Sequence, residues 1–177
     1  MTSLWISFVD QDDLTTQFSF RELPGVRKLR ILNCDSEIIA RLCKCCRNTE
    51  ELEIEQTGFA GNSDDDLRSA LISVPMLKRL SVVGGSLDGS FLSALAGSSS
   101  LHSLEYYVGD SWKSISIENL LSCPNLSSIE LIGHDQTLDI DSFCKLPRDI
   151  KLRLSYFAIS DDEKRLLKNR FKRLQID

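Results

Sequence analysis

Apolar and polar residues along this chain fall into a frame that recurs. In Leu126-Ser127-Ser128-Ile129-Glu130-Leu131-Ile132-Gly133-His134 the first, fourth and sixth places are apolar and a turn-like residue follows at the ninth. The same frame reads Val26, Leu29, Ile31, Cys34; then Thr49, Leu52, Ile54, Thr57; then Leu77, Leu80, Val82, Gly85; and then Leu101, Leu104, Tyr106, Gly109. Weaker copies run over Met1–Val9, Asp149–Phe157 and Phe171–Ile176. The fourth-place residues are Leu4, Leu29, Leu52, Leu80, Leu104, Ile129, Leu152 and Leu174, separated by 25, 23, 28, 24, 25, 23 and 22 residues. A frame at near-constant spacing of this length marks a repeat architecture.

Inside each frame the apolar period is two, which predicts a strand with its fourth and sixth places turned inward and the residues between them outward. Between frames the period lengthens. Ile38, Ile39, Leu42, Cys45 and Cys46 predict a helix over 36–47, with Asp35 or Ser36 as its N-cap. Leu67, Ala70, Leu71 and Val74 follow the acidic run Asp64-Asp65-Asp66 and stop at Pro75. Leu87, Phe91, Leu92 and Leu95 lead from the Gly84-Gly85 turn to Gly97. Ile117, Leu120 and Leu121 run up to Cys123-Pro124, and a short return covers 136–146. Asp161, Asp162 and Glu163 open a last helix and Lys164, Arg165, Lys168 and Arg170 follow, an order that complements the helix dipole. The first frame is degenerate: Asp10–Asp13 reads as a turn, and Leu14, Phe18 and Phe20 supply apolar side chains to the outer side. Phe18, Phe20 and Phe171 are candidate caps for the ends of the stack.

No unit of this kind buries its apolar face alone, so neighbours must stack and share one core. The expected fold is α/β: a solenoid, horseshoe-shaped, with a parallel concave sheet of about seven to eight strands and helices on the convex side. One domain spans 1–177, with a degenerate first repeat at 1–25, regular repeats over 26–148 and compressed ones over 149–177.

The outward strand positions form three columns across the expected concave face. The central one reads Trp5, Arg30, Glu53, Ser81, Glu105, Glu130, Arg153, Gln175, and the next reads Ser7, Leu32, Glu55, Val83, Tyr107, Ile132, Ser155, Asp177. Leu32, Val83, Tyr107 and Ile132 are apolar or amphipathic where water is expected, and charge surrounds them, as at a protein-binding patch. Lys28, Arg30, Lys151 and Arg153 flank an acidic middle of Glu51, Glu53, Glu55, Glu105 and Glu130, a pattern suited to steering a partner of complementary charge. The predicted partner-binding residues are therefore Trp5, Arg30, Leu32, Glu53, Glu55, Val83, Glu105, Tyr107, Glu130, Ile132 and Arg153. The loops compete with this face, because fold alone does not place function.

Charge and composition narrow the classes. With 42% hydrophobic and 27% charged residues the chain reads as globular. A net charge of −5 argues against a general nucleic-acid or anionic-membrane binder. The N-terminal stretch lacks the basic and apolar regions of a signal peptide, and no run reaches membrane-spanning length. The expected location is cytoplasmic or nuclear, which makes thiols the default for the six cysteines. Asn125-Leu126-Ser127 is a formal glycosylation sequon, discounted in a chain without an export signal.

Catalytic and metal chemistry find little footing. Cys43-Lys44-Cys45-Cys46 lacks a second Cys pair, and His102 and His134 sit in distant repeats, so packing is preferred to zinc. Asp64-Asp65-Asp66 lacks the spacing of a calcium loop and suits a helix N-terminus. No nucleophile elbow or phosphate loop is present. No enzyme activity, metal or cofactor is expected.

The frames resemble the cysteine-containing class of leucine-rich repeats. Leu121-Ser122-Cys123-Pro124-Asn125-Leu126 and Ser73-Val74-Pro75-Met76-Leu77-Lys78-Arg79-Leu80 look like strand starts of F-box/leucine-rich-repeat proteins, and Ile31-Leu32-Asn33-Cys34 looks like a strand exit of the same class. The resemblance implies a non-catalytic recognition module that captures another protein on its concave face for a ubiquitin ligase. No F-box accompanies it, since Leu23-Pro24 lacks the helical bundle that would follow. A ligase adaptor is then reached only through further sequence or a companion chain. The other reading is a structural or ligand-sensing repeat domain, of intracellular immune-receptor or scaffold type.

Overall fold

The computed structural model describes residues 2–7, 21–56, 64–84, 87, 89–108, 114–115 and 117–177. The expected roles of Asp10–Asp13, Leu14, Phe18 and Phe20, and the ninth-place residues Val9, Thr57, Gly85 and Gly109, lie outside these residues.

Each fourth- and sixth-place pair sits on a strand. In chain order the elements are β1 (Ser3–Ser7), β2 (Lys28–Leu32), α1 (Ser36–Cys45), β3 (Glu51–Gln56), α2 (Asp64–Ile72), β4 (Arg79–Gly84), a 3-10 helix at Ser90–Leu95, and β5 (Ser103–Tyr107). Then follow β6 (Ser114–Ile115), a 3-10 turn at Glu118–Leu120, β7 (Ser128–Ile132), β8 (Thr137–Leu138), α3 (Ile140–Cys144), β9 (Lys151–Ser155), α4 (Asp161–Arg170) and β10 (Arg173–Ile176). Eight strands form one all-parallel sheet in the order β1-β2-β3-β4-β5-β7-β9-β10, while β6 and β8 pair separately, also in parallel. The protein is thus an α/β fold in which the main sheet grows in sequence order.

The register is uniform. Leu4, Leu29, Leu52, Leu80, Leu104, Ile129, Leu152 and Leu174 lie opposite one another strand by strand, and so do Ile6, Ile31, Ile54, Val82, Tyr106, Leu131, Leu154 and Ile176. A slip of one residue would turn every one of these side chains to the other face. From β2 to β9 both rows are buried, and the pairs on β1 and β10 are half-buried against the same core. Tyr106 is the one polar-tipped member. Its ring meets Phe91 edge-on at 5.1 Å, and its hydroxyl donates to Leu87 O at 3.2 Å, which satisfies that buried donor.

The helical side departs from expectation in detail. α1 stops at Cys45, two residues before the predicted end, and Cys46 caps it by donating its N–H to Leu42 O and Cys43 O. Asp35 is the N-cap, accepting from Ile38 N at 2.8 Å. Cys43, absent from the predicted stripe, is fully buried, whereas Cys45 is only half-buried. Leu92 and its neighbours form a 3-10 helix between Gly89 and Gly97, both in the left-handed region. The acidic run lies in the first turn of α2 and reaches sideways: Ser36 Oγ donates to Asp66 Oδ2 at 2.7 Å, and Asp64 Oδ1 accepts from Phe91 N at 3.1 Å.

Turns before the strands are tied to one another by side chains. Asn48 Nδ2 donates to Pro24 O at 3.0 Å, Ser100 Oγ to Pro75 O at 2.9 Å, and Asn125 Nδ2 to Ser99 O at 2.6 Å. Asn125 of the discounted sequon therefore clasps the preceding turn. Gly133 permits one close approach after β7, where a Cβ would stand 2.5 Å from the ring of Phe157.

Candidate interaction face

Strand alternation sends the third, fifth and seventh places of each frame away from the helices. These residues are exposed or half-buried throughout β2 to β5 and β7. The parallel register then sets charges 23 to 28 residues apart in sequence side by side. Lys28 Nζ lies 3.2 Å from Glu51 Oε2, and Arg79 Nη1 lies 3.4 Å from Glu51 Oε1. Arg30 reaches two carboxylates, Glu53 Oε1 at 3.1 Å and Glu55 Oε2 at 3.4 Å, and its guanidinium stands 5.1 Å from the Trp5 ring. Arg153 meets Glu130 Oε1 at 2.9 Å and Asp177 Oδ2 at 3.4 Å. Each contact is solvent-accessible and contributes little stability singly. Together they neutralise most of a face that reads as segregated charge along the chain.

A hollow of about 520 Å³ opens over β3, β4 and β5. Glu53, Glu55, Val83, Glu105 and Tyr107, five of the predicted partner-binding residues, line it, together with Lys28, Glu51, Arg79, Ser81 and Ser103. Arg30 holds its edge through Glu53 and Glu55. The remaining predicted residues lie outside it. Trp5, 67% exposed, stands on β1 against Arg30; Leu32 is opposite Glu55; Ile132 is opposite Tyr107; Glu130 and Arg153 pair on β7 and β9. Ser81 and Ser103 were not singled out from the sequence. The signal was there, since a small residue in an outward column leaves space between larger neighbours.

Neither a protein-family model nor a curated protein matches this chain.

Glu105 differs from the other acids of the face. Its register neighbours are Ser81 on one side and Glu130 on the other. Partial burial, then the nearby Glu130 carboxylate and more weakly that of Glu53, push its pKa above the ordinary range, against a hydrogen bond from Ser81 and the charge of Arg153, which act the other way. Among the described residues no cation forms an ion pair with it.

The other sequence candidates resolve into structure. Cys34, Cys43, Cys46 and Cys123 are buried and Cys45 and Cys144 half-buried, all as free thiols. Cys123 Sγ donates to Leu95 O at 3.0 Å. His102 and His134 are surface residues, and no group of His, Cys, Asp and Glu among the described residues is placed to hold a metal ion. No helix among the described residues is long and apolar enough to cross a membrane.

Proposed function

We propose that the chain is a leucine-rich-repeat solenoid acting as a non-catalytic protein-recognition module, with the open sheet face, concave in this reading, as its binding surface. The observation that carries the proposal is the hollow over β3–β5. It gathers Val83, Tyr107 and partly buried carboxylates on a rigid, in-register sheet, which suits capture of a protein segment. The frame and the Cys-Pro-Asn turn before β7 support the cysteine-containing repeat class, and through it a substrate-receptor role of F-box/leucine-rich-repeat type in ubiquitin-ligase recruitment. The adaptor of such a ligase would be reached through other sequence or a companion chain.

The test is affinity purification from cell extract with the wild-type chain and with a folded variant carrying Leu32→Ser, Val83→Ser, Tyr107→Ser and Ile132→Ser. Loss of a protein partner in the variant is expected, with ligase components recovered alongside that partner. An unchanged set of partners would overturn the assignment of this face.

A further inference from the structure

We propose that the hollow over β3–β5 receives a single lysine or arginine side chain of the partner, seated against Glu105 with its methylene stem along Tyr107 and Val83. The inference rests on the open-face reading above and names what that face selects.

Charge complementarity points to the cation. Four carboxylates line the hollow, those of Glu51, Glu53, Glu55 and Glu105. Three cations of the protein are committed to the first three: Lys28 and Arg79 to Glu51, and Arg30 to Glu53 and Glu55. Glu130 on the far side is met by Arg153. Glu105 is the acid of the hollow that has no ion-pair partner among the described residues: it keeps a hydrogen bond from Ser81 and feels the charge of Arg153, but its register neighbour on β7 is another acid. Charges directly opposite in a sheet destabilise when alike, so the free chain bears a cost at Glu105 that a cation from outside would relieve.

The walls fit a long basic side chain better than a small ion. Tyr107 lies two places along the strand from Glu105 on the same face, about 7 Å away, and Val83 lines the same hollow. An aromatic face and an aliphatic wall accept the methylene stem of lysine or arginine while the carboxylate takes its head. The rim cations Lys28 and Arg79 argue against a polybasic ligand, because they repel any second positive charge. The expected ligand is an isolated basic residue flanked by apolar ones.

The probe is a library of random dodecapeptides displayed on phage and selected on the full chain. Selected peptides should carry one Lys or Arg at a fixed place. For the best of them, calorimetric titration should show affinity falling about tenfold with Glu105→Gln in the protein, about tenfold with Lys→Gln in the peptide, and little further with both together. Glu105→Gln should melt no lower than wild type, which separates lost binding from lost folding, and Glu105→Lys should shift selection toward acidic peptides. Peptides that need Val83 and Tyr107 but lack a basic residue and ignore Glu105→Gln would overturn this proposal and leave the open-face reading standing. Peptides indifferent to the fourfold serine variant would overturn both, and a library that yields no binder would overturn the basic-residue proposal.

Discussion

Burial decides the chemistry of the six cysteines one by one. It pushes Cys34 and Cys43 up to about 12, with Asp35 adding to the first and Cys46 to the second, and Cys46 up to about 11. Thiol reagents attack the thiolate, so these three are unreactive at neutral pH on two counts, access and ionisation. Cys45 and Cys144 are raised as well, again first by burial, but each is half-buried and keeps a path to solvent. Limited alkylation of the native chain at pH 8, read by peptide mass spectrometry, should mark Cys45 and Cys144 first and leave Cys34, Cys43, Cys46 and Cys123 until denaturant is added. Early labelling of Cys43 would contradict its placement. The sequence puts Cys45 and Cys46 on the inward stripe and leaves Cys43 off it, whereas Cys43 and Cys46 are buried and Cys45 is half-buried. Cys43 and Cys45 both lie within α1, and at helical spacing Cys43 follows the buried Ile39 by one turn.

At the scale of elements, signals that repeat over several residues were legible and those confined to two or three were not. The strand frames and the stripes of α1 and α2 have enough periods to read. The pair β6 and β8 has two residues in each strand, too few for any period, and its existence depends on what is brought beside it. α4 carries one more legible signal. Beside the acidic run Asp161-Asp162-Glu163, Ser160 and Glu163 form a capping box, in which Ser160 N donates to Glu163 Oε2 at 2.8 Å and Glu163 N donates to Ser160 Oγ at 3.4 Å. Ser160→Ala should cost about 1 kcal/mol in a denaturant melt, whereas Asp162→Ala, exposed on the same turn, should change stability by less than about 0.5 kcal/mol. Equal effects would remove the box as the anchor of this helix.

Across the whole molecule the register is what turns a list of residues into a surface. Acids and bases that look segregated in sequence become neighbours at 2.9 to 3.4 Å because every strand starts in step with the last. The outward columns were readable from the frame, but the ion pairs, and with them the isolation of Glu105, need the pairing of strands that no single segment encodes. The same register predicts unequal tolerance along the sheet. Leu104, fully buried on β5 with neighbours on both sides, should lose roughly 2–5 kcal/mol on Leu104→Ala. Leu174, half-buried on β10 with β9 as its one strand neighbour, should lose less under Leu174→Ala. Chemical denaturation of both variants checks this, and a larger loss at Leu174 would contradict the gradient.

The strand order carries a mechanical consequence. β1 and β10 occupy opposite edges of one sheet, with β2, β3, β4, β5, β7 and β9 between them in sequence order. Tension applied across those two strands is borne in series, one strand-to-strand seam after another, and never by all seams in shear at once. Under load such a sheet yields by peeling, each released seam paying out one unit of slack chain. The clasps at Asn48, Ser100 and Asn125 tie the turns that precede interior strands, across the seams β2–β3, β4–β5 and β5–β7. The sheet is thereby stiff against load pressed on its face and compliant along its length.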